Sequence, residues 1–238
     1  MKLKAKATEQ IVKHAFLFIV VLALSGCLEV EPPTPAPQTA RSAGNVTVSS
    51  LRQVSARVIP VAVTECRQRT RARCDFQVGV DEDPSAPPNA FQTEAADGTP
   101  MLIFTETLLK DLQNVHELAF ILGHEAAHHI EGHLDQTNRN ATSGALIGGL
   151  TAAIFGADTS VIESASRIGG TVGARRYSKD FELEADFLGA RITQRAGYDA
   201  VRGAEYFTRI ADPGNRFLGT HPPNADRINT VRGAVAGL

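Results

Sequence analysis

The sequence contains no tryptophan, and aromatic residues make up only 6% of its 238 residues. We therefore expect an aliphatic core built on Leu, Ile, Val and Ala. The net charge is also small, -2 at pH 7, which excludes both the strongly basic surface of a typical nucleic-acid-binding protein and a strongly acidic surface. Apolar runs long enough for a permanent membrane span are lacking as well. What remains is enough chain for one soluble-type domain with a substantial core.

Residues 1–27 have the organisation of an export signal, in which lysines precede a short apolar run at residues 15–24. The run ends in residues 24–27, Leu-Ser-Gly-Cys, which resemble a bacterial lipobox. There Cys27 would be lipidated and become the mature N-terminus. The alternative is a plain cleaved signal with an incidental cysteine. Because Leu28 and not an aspartate follows, we expect a periplasm-facing lipoprotein of a Gram-negative outer membrane.

Residues 28–45 are rich in proline and poor in apolar side chains, so we expect a disordered tether between the lipid anchor and a domain spanning residues 46–238. The sequence contains only three cysteines. If Cys27 carries lipid, Cys66 and Cys74 remain, and an exported, oxidising location permits a disulfide between them. Two free thiols are the alternative, and the compartment favours the disulfide.

Hydrophobic periodicity predicts an α+β domain that is mostly helical and carries a small antiparallel β-sheet. Two of its strands are expected to pair as a hairpin at Asp97-Gly98. The predicted strands cover residues 74–80, 89–93 and 99–105. The predicted helices cover residues 49–71, 114–134, 178–196, 200–210 and 222–234.

The segment 142–172 is unusually rich in glycine and alanine. It predicts two tightly packed helices, because small side chains allow helix backbones to approach closely. Its apolar part is far shorter than a membrane span, so membrane contact is the less favoured interpretation.

The sequence His124-Glu125-Ala126-Ala127-His128 lies inside a predicted helix. Residues at i and i+4 share one helix face, so both imidazoles can reach one metal ion. Glu125 lies one step round the helix, where its carboxylate can act on water without binding the metal. A catalytic zinc needs three protein ligands and one open position, and Glu182 is the candidate third ligand. The alternative is that these are two surface histidines on an amphipathic helix. The downstream residues Glu182 and Asp186 make this alternative weaker.

Further polar residues surround these candidate ligands in the sequence. Asp186 shares a helix face with Glu182 and could accept the free N–H of a ligand histidine. Glu184 lies on another side of that helix and is expected to be a solvated surface charge. His129 and His133 are also spaced i, i+4. We expect them to be exposed or outer-sphere residues and not a second metal pair.

Together these motifs resemble the gluzincin peptidases of family M48. The resemblance rests on His124-Glu125-x-x-His128 followed by Glu182-x-x-Ala185-Asp186, and it extends over about residues 51–232. Three further segments match the family pattern, namely Asn89-Ala90-Phe91, Tyr177-Ser178-Lys179 with Lys in place of Arg, and Thr220-His221-Pro222-Pro223 with Arg227.

The resemblance implies a zincin-like metalloprotease domain that binds one zinc ion per chain through His124, His128 and Glu182, with Glu125 as general base. His221 would stabilise the oxyanion or occupy the fourth coordination position. Arg227 would support the oxyanion or its loop.

The resemblance and the predicted anchor together suggest a zinc-dependent endopeptidase in cell-envelope protein quality control. Its partners would be unfolded or misassembled envelope polypeptides and, through the lipid anchor, a membrane; no nucleic-acid partner is expected. One alternative is a catalytically weak assembly factor or chaperone on the same zinc fold. A metal-storage module is a second alternative, disfavoured because no dense His/Cys cluster is present.

Overall fold

The structure is a computed structural model, and it describes residues 46–176, 178–216 and 219–238. The predicted signal peptide with its lipobox Cys27 and the predicted tether, residues 28–45, lie outside the described residues. Tyr177, part of one family motif, also lies outside them.

The described chain folds into a mostly helical domain with one small sheet, so the predicted α+β class is confirmed. The strands are β1 (Gln77–Asp81), β2 (Ala90–Glu94) and β3 (Pro100–Thr105). The α-helices in the described residues are α1 (Val48–Arg69), α2 (Glu106–Asp111), α3 (Val115–Ile130), α4 (His133–Ile154), α5 (Thr159–Arg175), α6 (Ser178–Arg195), α7 (Ala200–Gly203) and α8 (Asn224–Ala236), and a 3-10 helix at Ala204–Thr208 follows α7.

The sheet has the strand order β1-β3-β2, which puts the most apolar strand in its centre. β2 and β3 pair antiparallel, as predicted, across a turn where Gly98 takes a positive φ of 79°. The expectation of an antiparallel sheet is wrong for β1, which runs parallel to β3 with Val78 beside Leu102. The loop of residues 82–89 carries the chain past the central position. β2 therefore forms the far edge, and β3 returns between the two.

The N-terminus of α3 is fixed by two side chains. Asn114 caps the helix, and its Oδ1 accepts hydrogen bonds from the backbone N–H groups of His116 and Glu117. The Glu117 carboxylate accepts from the backbone N–H of Gln113, one residue before the cap. Arg209 donates to both oxygens of this buried carboxylate at 2.7 and 2.9 Å, so the ion pair ties α3 to the segment after α7.

The C-terminus of α3 comes earlier than the periodicity predicted. The chain leaves the helix after Ile130, and Gly132 adopts left-handed geometry with φ 69°. A new helix, α4, begins at His133 in a different direction. The break places His133 beside the last turn of α3.

Two glycines allow α3 and α6 to cross at backbone contact. A Cβ atom at Gly189 would lie 2.7 Å from the backbone N of His124, and one at Gly123 would lie 2.8 Å from the carbonyl O of Gly189. No larger side chain fits at either position without moving a helix. Thr193 secures the crossing, because its hydroxyl donates to the carbonyl of Ala119 at 3.2 Å. The crossing brings the predicted metal ligands on α3 and α6 together.

The helices α4 and α5 form the predicted pair of closely packed helices and contact the remaining domain mainly through their bases. Within α4, only His133 and Gly149 are buried, and α5 buries none of its residues. In the described part of the chain, no helix is both long and apolar enough to cross a membrane.

Candidate metal centre

The three predicted ligands converge on one point. His124 and His128 project from α3, and Glu182 projects from α6. Nε2 of His128 lies 3.0 Å from Nε2 of His124 and 3.3 Å from Oε1 of Glu182. Nε2 of His124 lies 3.7 Å from Oε2 of Glu182. One ligand atom from each residue can therefore reach a single metal ion, and these atoms lie within 4.8 Å of one another.

The donor set fits zinc. Two imidazole nitrogens and one carboxylate oxygen are a known catalytic zinc combination, and they leave the fourth position open. At metal–ligand distances of about 2.0–2.1 Å, tetrahedral geometry separates ligand atoms by about 3.3 Å. The separations of 3.0 Å between the two Nε2 atoms and 3.3 Å from Nε2 of His128 to Oε1 of Glu182 are close to that value, whereas the 3.7 Å contact of His124 is with the other carboxylate oxygen, Oε2. An ion would need only small side-chain movements to bind.

Glu125 occupies the position expected of a general base. It follows His124 on α3, is buried, and lines a cleft of about 560 Å³ together with all three candidate ligands. Glu125 is one residue from a candidate ligand and is not itself one of the converging donors.

Asp186 orients His124. Its Oδ1 lies 2.9 Å from Nδ1 of His124, so a proton on Nδ1 is shared with the carboxylate and Nε2 is left for the metal. Arg227, on α8, donates to both oxygens of Asp186 at 2.7 Å. Burial opposes ionisation of Asp186, but the hydrogen bonds and charge of Arg227 outweigh it and lower its pKa. Arg227 also lies 3.3 Å from Glu182, so it supports two anions of the centre.

His133 orients His128 as Asp186 orients His124, but the supporting group is an imidazole and not a carboxylate. The two Nδ1 atoms lie 2.9 Å apart. When Nε2 of His128 faces a metal, its Nδ1 must carry the proton, so Nδ1 of His133 accepts. Nε2 of His133 then carries a proton and donates to Oε2 of Glu184 at 3.0 Å. The ring of Phe181 stacks on the imidazole of His133, with ring centroids 4.5 Å apart, and so restricts rotation of the imidazole.

This arrangement corrects the expectation for Glu184. Its side chain is 59% exposed, as a surface charge would be, but one oxygen anchors the chain of hydrogen bonds that leads to the metal site. His133 is only 3% exposed and belongs to the centre's outer sphere, one of the two roles expected of it.

His221 lies at the rim of the centre. Its Nδ1 is 3.1 Å from Oε2 of Glu182, and its side chain is about half exposed. Burial opposes ionisation of Glu182, but hydrogen bonds with His128 and His221 hold its pKa well below the usual value. The motif residues Ser178 and Lys179 support the segment before His221, because Ser178 donates to the carbonyl of Gly219 and Lys179 donates to the carbonyl of Arg216.

His129 faces away from the candidate ligands. Its Nε2 donates to the carbonyl O of Arg73 at 2.7 Å, and its ring meets Phe76 edge-on. The structure joins Cys66 and Cys74 in a disulfide, with Cα atoms 5.9 Å apart. His129 therefore connects α3 to the disulfide-closed segment and is a matched comparison for His133.

The sheet forms one wall of the cleft. The motif Asn89-Ala90-Phe91 starts β2, and all three residues line the cleft. β2 is an edge strand, and its outer side pairs with no strand in the described part of the chain. A free strand edge beside a metal site can accept an extended polypeptide by backbone hydrogen bonding.

Sequence reasoning missed two features of this centre. The first is the helix crossing at Gly123 and Gly189. The glycine directly before His124 could have suggested it. The second is the pairing of His133 with Glu184. A helix break after His128 would have indicated that His133 can turn back toward the centre. The sequence analysis did not predict the break at Gly132.

Comparison with known proteins gives consistent matches. A family model described as Peptidase family M48 matches residues 50–235. A protein of Vibrio cholerae serotype O1 named as a beta-barrel assembly-enhancing protease is 34% identical over 134 residues, covering 50% of this chain and 28% of the relative. The mitochondrial metalloendopeptidase OMA1 of Saccharomyces cerevisiae is 27% identical over 169 residues, covering 66% of this chain and 46% of the relative. The matched region thus spans less than half of either relative.

Proposed function

This chain belongs to peptidase family M48, and on that premise we propose that it is a zinc-dependent endopeptidase acting in the cell envelope. The observation that carries the proposal is the convergence of His124, His128 and Glu182 beside Glu125 in one cleft. The family supports a metallopeptidase. Zinc, endopeptidase cleavage and the envelope location are the finer steps that we propose here.

The chemistry needs an electrophilic carbonyl and an attacking water. Zinc held by the three ligands would supply Lewis acidity, polarising a carbonyl and making water more acidic. Glu125 takes the proton of the attacking water on its carboxylate and transfers it to the leaving nitrogen. Asp186 and His133 fix the ligand imidazoles in the tautomer that presents Nε2 to the metal.

We propose that His221 assists the reaction from the edge of the ligand set. Its contact with Glu182 puts an N–H-bearing ring at the edge of the ligand set, and its exposure leaves it free to swing toward a substrate oxygen. An imidazole there stabilises negative charge that develops on that oxygen. Arg227 is engaged by Asp186 and Glu182, so its role is to position these carboxylates.

The edge strand β2 supports a preference for extended substrates. An added strand would bind through main-chain hydrogen bonds along residues 90–94, which read little sequence and require an unfolded segment. We therefore propose unfolded or misassembled polypeptides as substrates.

The N-terminal sequence supports the proposed location. Lipidation of Cys27 would hold the protein on a membrane, and Leu28 favours the outer membrane of a Gram-negative cell. The name of the Vibrio cholerae relative, which refers to beta-barrel assembly, supports an envelope role in protein quality control. The alternative is a catalytically weak assembly factor or chaperone on the same fold; an intact Glu125 in the cleft favours the enzyme.

The experiment compares the full chain with a Glu125→Gln variant in cleavage of casein, after zinc content has been measured for both. We expect the variant to retain zinc and to lose at least about 100-fold in cleavage rate, the scale of general-base catalysis. Glu131→Gln is the matched control, since Glu131 caps the same helix and pairs with Arg69 outside the cleft. Equal cleavage by wild type and Glu125→Gln would show that the assignment of the base is wrong. Zinc binding without cleavage by the wild type would favour the chaperone.

A further inference from the structure

The outer half of the α4–α5 hairpin, defined here as residues 144–169, exposes large apolar side chains to solvent. The two residues at its tip are the most exposed, Ile154 at 81% and Phe155 at 84%. Others form a stripe on each helix at i, i+3, i+4 or i, i+7 spacing, so each stripe follows one face. These residues are Leu146, Ile147 and Leu150 on α4 and Val161 and Ile168 on α5.

The contact between the two helices is made by small residues instead. A Cβ atom at Gly144 would lie 2.1 Å from the carbonyl O of Gly169, and one at Gly148 would lie 2.3 Å from the carbonyl O of Ala165. At the base, a Cβ atom at Gly173 would lie 2.1 Å from the carbonyl O of Asn140. The hairpin thus has small residues inside and large apolar residues outside.

This distribution is the reverse of what water favours. In water, two helices associate by burying their large apolar side chains between them. In lipid that driving force is absent, and helices pack through glycine-lined faces while their large apolar side chains contact acyl chains. The outer half contains three charged residues, namely Asp158, whose carboxylate caps α5, and Glu163 and Arg167, which pair with each other. The hairpin therefore has the composition of a segment that is solvated by lipid.

The dimensions suit one leaflet. From Leu146 to Ile154 the helix rises about 12 Å, at 1.5 Å per residue. Half of a hydrocarbon core about 30 Å thick is about 15 Å. Glu163 and Arg167 pair with each other on the side of α5 away from its apolar stripe, so the inserted hairpin must tilt with this polar side toward the headgroups. No described helix could cross the whole bilayer, so a shallow insertion is the depth that the hairpin allows.

The predicted anchor would keep the hairpin near a bilayer. A tether of residues 28–45 could extend over about 60 Å at most, at 3.3–3.6 Å per residue. Any face of a domain of this size can reach the membrane within that length. Restriction to this layer raises the effective concentration of lipid around the hairpin, so an insertion that is weak by itself becomes populated.

We propose that the outer half of the α4–α5 hairpin inserts, tip first, into one leaflet of a lipid bilayer. The base of the hairpin starts at His133, beside the metal centre, and α4 is 22 residues or about 33 Å long. Insertion therefore holds the cleft within about 33 Å of the lipid surface, where newly exported or misassembled membrane proteins are met. The inference goes beyond peptidase activity and does not depend on it.

The test uses the absence of tryptophan from the sequence. Phe155→Trp in the full chain provides a single reporter at the tip of the hairpin. Vesicles of phosphatidylcholine and phosphatidylglycerol are added, with or without bromine atoms on the acyl chains. We expect the emission to move to shorter wavelength and to be quenched by brominated chains. Ile154→Asp in the same background should abolish both effects while the circular dichroism spectrum stays unchanged.

A matched control places the reporter elsewhere. Phe187 is a half-exposed phenylalanine on α6, outside the hairpin, so Phe187→Trp should be quenched several-fold less on the same vesicles. Addition of Glu125→Gln to the Phe155→Trp chain should leave the quenching intact, which separates this proposal from the peptidase assignment.

Three results would overturn the proposal. One is water-like emission from position 155 in the presence of vesicles. Another is a shift that occurs without vesicles and grows with protein concentration, because a second copy would then cover the hairpin. The third is a shift that requires unfolded casein and not lipid, because the hairpin would then be a polypeptide-binding surface.

Discussion

Replacement of Gly189 by alanine is expected to weaken the metal centre although it removes no ligand. The new Cβ atom would lie 2.7 Å from the backbone N of His124, whereas ordinary van der Waals contact begins at 3.4 Å. α6 must therefore move away from α3 by about 0.7 Å, because the opposing atoms are backbone and cannot rotate aside. Overpacking of this kind costs about 1–3 kcal/mol of folding free energy.

The displacement matters more for the metal than for the fold. Glu182 and Asp186 are carried on α6, and His124 is carried on α3. Metal–ligand distances tolerate only about 0.2 Å, so a shift of about 0.7 Å spoils the ligand geometry. We expect zinc affinity to fall by roughly 10–100-fold, the range seen when outer-sphere support is lost. Peptide cleavage at limiting zinc should fall with it.

The assay combines thermal unfolding of the metal-free protein with zinc competition against a chromophoric chelator. A loss of 1–3 kcal/mol lowers Tm by about 2–4 °C per kcal/mol in a domain of this size. Gly233→Ala is the matched control. Gly233 lies within α8, and a Cβ atom there would meet nothing within 4 Å. Alanine should therefore leave zinc affinity unchanged and raise stability slightly, by up to about 1 kcal/mol.

The reasoning is refuted if Gly189→Ala binds zinc as tightly as the wild type. A lower Tm with normal zinc affinity would also refute it, since the helices would then separate without disturbing the ligands.

Three further predictions concern His133 and the disulfide. His133→Leu should lower zinc affinity roughly 10–100-fold because Nδ1 of His128 loses its acceptor, whereas His129→Leu should not, as chelator competition would show. Burial lowers the pKa of His133 from 6.5 to about 4, so the unfolded chain binds the extra proton first. The metal-free protein should thus lose about 1 kcal/mol of unfolding free energy between pH 6.5 and 5, less in His133→Leu, as measured by urea titration. Reduction of the Cys66–Cys74 disulfide opens a short loop and should lower the unfolding free energy by about 2.5 kcal/mol in the same titration. The reductant should not change the unfolding free energy of a variant in which both cysteines are alanine.

The sequence was most informative where one local pattern decides the structure. The apolar stripe of α3 and the turn at Gly98 each act over a few residues, and the structure has them close to the predicted positions. The direction of β1 could not be predicted in this way. It depends on whether the loop of residues 82–89 stops beside β1 or passes over the central position, which is a property of the packed sheet.

In the candidate site, too, local features could be predicted from the sequence and features that depend on tertiary packing could not. The spacing of His124 and His128 is local to one helix, so the pair could be read directly from the sequence. Glu182 could be named as a candidate third ligand and Asp186 as its neighbour on the same helix face, but nothing in the sequence itself measures the distance between α3 and α6. The role of Glu184 was missed because its helix position indicates exposure, and its partner His133 arrives only after the break at Gly132.

The last helix also controls when the site can exist. Arg227 lies 41 residues after Asp186 and 103 residues after His124, so all three ligands leave the ribosome before it does. Without Arg227, the buried Asp186 carboxylate has lost its cationic partner, and removing one member of a buried ion pair costs about 3–5 kcal/mol. α3 and α6 therefore do not form a stable centre in a nascent or truncated chain. We therefore expect α8 to act as a completion check, because the candidate site is stable only once the last helix of the domain has packed against it.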